Sequence, residues 1–118
     1  MDSLETSLLW LGVEDYTGLW QAVAEARDDT GSLSLNEAQV KARRSMESLL
    51  RRGYVEMFAC QEPLNNESVD VVPPERWPIV LAEVASWEPP EEGAISFRYA
   101  TTDQGFVAYR KEVSWNAK

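Results

Sequence analysis

A helix delimited at both ends by its own residues, with a strand directly after it, constrains this chain more than any other feature. Ser34-Leu35-Asn36-Glu37 has the form of a capping box, with Ser34 at the N-cap and Glu37 reaching back to it. Helical spacing continues to Arg52, and Gly53 is a suitable C-cap because it enters the left-handed region without a Cβ clash. Leu35, Ala38, Ala42, Met46, Leu49 and Leu50 share roughly one third of the circumference, a stripe that must face a core. Arg44 and Arg51 project almost opposite, flanked by Lys41, Glu47, Ser48 and Arg52. Tyr54 to Cys60 then alternates like a strand with one wet face.

The segments on either side supply partners for that stripe. Leu4, Leu8, Leu9 and Leu11 define a short first helix that Gly12 is expected to end. Glu14 and Asp15 are expected to open a second helix, with Tyr16, Leu19, Trp20, Val23 and Ala26 as its apolar stripe. Asp28 to Ser32 stops it. Beyond Cys60, Glu62 to Ser68 is polar and turn-like. Pro73 and Pro74 precede a short helix at about Ile79–Ser86, with Pro78 in its first turn and Trp77, Val80, Leu81 and Val84 on its buried side. Glu88 to Gly93 is a stiff acidic loop, and Ile95 to Tyr99 alternates as a second strand. Thr102-Asp103 caps a last helix through about Lys111, carrying Phe106, Val107 and Tyr109. The expected fold is α+β, mainly α: one domain over residues 1–118, with a helix-containing insertion (about 62–93) between its two main strands.

Two stretches carry a resemblance. The run from Arg43 through Arg52-Gly53-Tyr54-Val55-Glu56 looks like the recognition helix and first wing strand of winged-helix proteins. Tyr99-Ala100-Thr101-Thr102-Asp103-Gln104-Gly105 resembles the second wing strand entering a helix in winged-helix regulators of the multiple-antibiotic-resistance and phenolic-acid regulator kinds. Those regulators often show tyrosine, any residue, leucine, threonine, two residues and glycine there; here Thr101 takes the leucine position. The similarity covers roughly residues 4–60 and 94–112. It implies a winged helix-turn-helix. Such folds serve both DNA binding and protein docking, so the fold alone does not choose between them.

Composition narrows the chemistry. There are no histidines and one cysteine. The commonest general base, the histidine-assisted nucleophiles and the usual zinc and iron–sulfur ligand sets are therefore missing. Asp28-Asp29-Thr30-Gly31 lacks the spacing and terminal glutamate of a calcium-binding loop. No cofactor, metal or catalytic residue is expected, and the chain reads as a non-enzyme. No apolar run reaches the ~18 residues of a membrane span. Met1 to Glu5 has early acids and no basic leader, and Cys60 has no partner, so a reducing, cytoplasmic setting is expected. The net charge is −9, yet five basic residues and one acid between Lys41 and Arg52 make a local +4 and leave −13 elsewhere.

Two functions follow from that segregation. The first is a protein-binding module (regulatory, adaptor, or antitoxin- or immunity-like, with a protein partner or a second copy), contacting through Val40 on the wet side of the long helix and through Trp87 and Trp115 near element ends. Trp10 and Trp20 are expected in the core. The alternative is a sequence-specific DNA-binding regulator using Asn36, Lys41, Arg43, Arg44, Arg51 and Arg52 on phosphates and base edges. Internal pairing competes with that use. Glu37 and Lys41 are four residues apart, and Glu47 lies four from both Arg43 and Arg51. Cys60 reads as a small strand-end hydrophobe.

Overall fold

The computed structural model describes residues 1–62 and 69–116, apart from the side chains of Thr30, Trp115 and Asn116. In chain order the elements are α1 (Ser3–Glu14), β1 (Thr17–Gly18), α2 (Leu19–Thr30), α3 (Leu35–Arg51), β2 (Val55–Gln61), β3 (Val69–Val71), α4 (Trp77–Ala82), β4 (Ile95–Thr101) and α5 (Asp103–Asn116). Short 3-10 turns at Pro74–Arg76 and Val84–Trp87 bracket α4. The fold is α+β and mainly helical, with one antiparallel sheet in the order β1-β4-β2-β3. Strands β2 and β4 pair along their whole length, from Val55 opposite Thr101 to Gln61 opposite Ile95.

Helix α3 forms where its caps require. The Ser34 hydroxyl accepts from the Glu37 N–H at 3.2 Å, and the Glu37 carboxylate accepts from the Ser34 N–H at 3.2 Å. Gly53 follows at φ 74. The buried stripe runs from Ala38 through Ala42, Met46 and Leu49 to Leu50, with Ser45 joining it. Leu35 does not belong to it: it sits in the first turn and is 55% exposed.

Helix α1 departs from expectation at its end. Gly12 does not stop it, and the helix continues to Glu14. Gly12 is instead a point of close approach, since a Cβ there would lie 2.6 Å from Thr101 Oγ1 and 2.9 Å from the Tyr99 ring. Two side chains of β4 hold α1 against the sheet. The Thr101 hydroxyl donates to the Leu9 carbonyl at 2.6 Å, and the Tyr99 hydroxyl donates to the Leu8 carbonyl at 2.7 Å. Tyr99 is fully buried, and burial pushes its phenol far above the usual range, so it stays a donor. Tyr99→Phe is expected to cost about 1 kcal/mol, the ordinary net worth of one buried hydrogen bond, read as a lower urea midpoint. An unchanged midpoint would show that this bond holds nothing.

Glu14 and Asp15 close α1 rather than open α2. Asp15 is extended (φ −162, ψ 172), and the chain spends Thr17–Gly18 as a strand against Tyr99 and Arg98 before α2 begins. Helix α2 ends at Gly31, which adopts φ 73.

The segment between β2 and β4 contributes to the core. The turn expected at Glu62–Ser68 lies outside the described residues except for Glu62. Strand β3 extends the sheet beside β2, a pairing not expected from the sequence. The insertion helix starts at Trp77, two residues earlier than expected, and gives way to the 3-10 turn at Val84. Val72, Val80, Leu81 and Trp87 join the same core cluster as the leucines of α1 and α3. Val84, expected on the buried side, is exposed.

The tryptophans are redistributed. Trp10 is 47% exposed, stacked on Tyr109 of α5 with ring centroids 5.5 Å apart. Trp20 is half-buried under the Arg98 guanidinium, 4.8 Å from the ring centroid. Neither belongs to the core proper, because each sits where a helix edge meets the surface.

Candidate functional site

The outward side of α3 divides into two flanks and a crest. On one flank the basic side chains turn back to the molecule. Lys41 does not pair with Glu37 but reaches Asp29 of α2 at 3.1 Å. The Ser3 hydroxyl also donates to Asp29 at 2.7 Å, and that bond, followed by the one from Lys41, holds the Asp29 carboxyl below the usual aspartate range. Arg52 lies 3.7 Å from the Glu5 carboxylate of α1 and 6.0 Å from the centroid of the Tyr54 ring. At the crest, Arg44 is exposed and makes no ion pair among the described residues.

The other flank faces α4. There the two helices and the Pro74–Arg76 turn enclose a groove of about 510 Å³. Its α3 side carries Arg43, Glu47, Leu50 and Arg51; its far side carries Pro74, Trp77, Pro78, Leu81 and Ala82. Glu47 and Arg51 pair across one turn, as their spacing predicts, while Arg43 makes no ion pair among the described residues. A smaller depression of about 130 Å³ adjoins it, lined by Asn36, Gln39, Val40, Arg43, Leu81, Ala82, Val84 and Trp87.

The sequence-predicted residues thus separate. Asn36, Val40 and Arg43 come together over Trp87, while Arg51 faces the larger groove. Val40 is 38% exposed. Trp87 is not an exposed anchor. It is 5% exposed, and its indole N–H donates to the Leu81 carbonyl at 3.0 Å. The Val84–Trp87 turn folds it inward against α2 and β4. Trp115 falls in the last turn of α5, with its side chain outside the described residues.

Sequence reasoning did not assign the far wall of the groove. The available signal was Trp77 set between Pro74 and Pro78. Prolines restrict the backbone and leave a neighbouring aromatic presented at fixed geometry, but nothing local says that α3 lies opposite. The far wall is tied to the strand end before it. The Trp77 indole N–H donates to the Val72 carbonyl at 3.2 Å.

Cys60 is buried in β2, and burial raises its thiol pKa, which keeps it protonated. Among the described residues no group of three or more acidic or cysteine side chains could hold a metal ion. Among them also, no helix is long and apolar enough to cross a membrane.

In comparisons with known proteins the chain matches no family model, no curated protein and no solved structure.

Proposed function

We propose that this chain is a non-enzymatic binding module of winged-helix type that works through protein–protein contact, in a regulatory, adaptor or antitoxin- or immunity-like role. The scaffold reading is supported by a short strand between the first two helices that joins the edge of β4, and by a long capped helix that runs through Gly53 into β2. One observation carries the choice of partner: α3 and α4 line a single groove. The DNA major groove is ~12 Å wide and admits about one helix, itself ~10–12 Å across with side chains. A groove walled by two helices, with Ile79 of α4 68% exposed, presents a broader surface than that.

The internal ion pairs weigh less. The exposed Arg51–Glu47 pair is worth about 0–1 kcal/mol and would yield to phosphate. The charge outside residues 41–52 is another matter, because a −13 body repels a polyanion over the whole approach. Arg43 and Arg44, without ion-pair partners among the described residues, favour the alternative of a DNA-binding regulator.

A retardation assay with mixed genomic fragments at low salt separates the two. Protein binding predicts no shifted band. Retardation that falls with salt at a log–log slope near −0.9 per phosphate contact, and that Arg44→Glu with Arg51→Glu abolishes, would overturn the proposal.

A further inference from the structure

We infer that the α3–α4 groove takes an acidic amphipathic segment of a partner protein, its large apolar side chains seated between Trp77, Pro78 and Leu81 and its carboxylates on Arg43 and Arg51. The inference rests on the protein-binding reading above and names the partner's chemistry.

Three observations support it. The first is the space, since about 510 Å³ falls within the ~300–1,000 Å³ of pockets that bury a compact apolar group. The second is rigidity. Pro74 and Pro78 restrict the far wall, Trp77 is bonded to Val72, and Leu50 and Leu81 at the floor belong to the buried core. A wall already ordered loses little freedom when a ligand arrives.

The third is charge. Arg43 is unpaired among the described residues, and the only ion-pair partner of Arg51 there is Glu47, one turn away on an exposed face. Arg44 at the crest and Arg76 beside Trp77 extend the positive border, and they too have no ion pair among the described residues. The acids nearest in sequence are Glu47, already matched, and Glu75 and Glu83 at the two ends of α4, both exposed. On a body that carries −13 outside residues 41–52, an acidic ligand is repelled almost everywhere else. A basic ligand would be drawn away from this groove. The charge pattern therefore selects both the site and the sign of its occupant.

The test uses two synthetic amphipathic dodecapeptides with leucine and phenylalanine on one face. One carries glutamate on the other face, and the second carries lysine at the same positions. Each is titrated into the whole 15N-labelled chain, and binding is followed by amide shifts. The glutamate peptide should move resonances of residues 43–51 and 74–82 and weaken as salt rises. The lysine peptide should not move them. Arg43→Glu with Arg51→Glu should reduce affinity at least about tenfold, as loss of paired interface charges does. Ala82→Trp, which fills the groove without removing a core side chain, should do the same; both variants are checked for unchanged thermal unfolding. Equal binding of the two peptides, shifts confined to another surface, or affinity indifferent to both variants would overturn the inference. That failure is distinct from failure of the protein-binding reading, which is decided by the retardation of genomic DNA.

Discussion

Gly105→Ala should destabilise the fold by at least about 3 kcal/mol, the upper part of the range for overfilling a packed site. The sign is the informative part. In an open helix, glycine to alanine gains up to about 1 kcal/mol. Here an added Cβ would collide with the Tyr54 carbonyl oxygen and lie 2.8 Å from its carbon. Both are backbone atoms, fixed by the turn at Gly53, so neither can swing aside. The same carbonyl accepts from the Thr102 N–H at 3.0 Å, and the Thr102 hydroxyl donates to the Gly53 carbonyl at 2.7 Å while capping the Gly105 N–H at 3.0 Å. The first turn of α5 is thereby pinned to the end of α3. Urea unfolding of Gly105→Ala beside Val107→Ala, an exposed control expected within about 0.5 kcal/mol of the parent, checks this. A Gly105→Ala midpoint equal to or above the parent's would mean the junction opens without cost.

Trp87→Ala should remove about 3–5 kcal/mol of stability, the usual consequence of deleting a buried aromatic. The loss has two parts. A side chain almost wholly removed from water is replaced by a cavity, and the Leu81 carbonyl loses the indole donor that satisfied it. Against a total stability of ~5–15 kcal/mol for a typical domain, such a loss leaves a variant only marginally folded. Thermal unfolding by circular dichroism measures it. A variant with the parent's melting temperature and weakened partner binding would instead restore Trp87 as an interface anchor.

What could be seen in the sequence was what is locally encoded. Helix α3 announces itself because Ser34, Glu37 and Gly53 satisfy its own ends, and the alternation of β2 and β4 follows from one buried face. Strand β1 could not be seen: its two residues take their strand pairing from Tyr99 and Arg98, some eighty positions away. Gly12 misleads for a related reason. Glycine near a helix end has two causes, termination and close contact, and only the position of Thr101 tells them apart. At the site, the α3 wall was legible as an exposed stripe of charge with Val40 on it. Trp87 was not, because an aromatic beside a proline-rich loop looks the same whether the turn before it faces out or in.

The stem of the excursion between β2 and β4 is closed by the chain itself. Beyond Gln61 opposite Ile95, the Glu62 N–H donates to the Ala94 carbonyl at 3.0 Å, and the Gly93 N–H donates to the Glu62 carbonyl at 3.2 Å. Departure and return points therefore touch, and joining them by a short turn would be geometrically simple. Thermodynamically it would not be benign. Doubling a closed loop costs only about 0.6 kcal/mol, so shortening this one recovers little entropy, whereas it strips Val72, Val80, Leu81 and Trp87 from the cluster they share with α1 and α3. What the chain would lose is a lid over its own interior, and a trimmed version should expose apolar surface and self-associate.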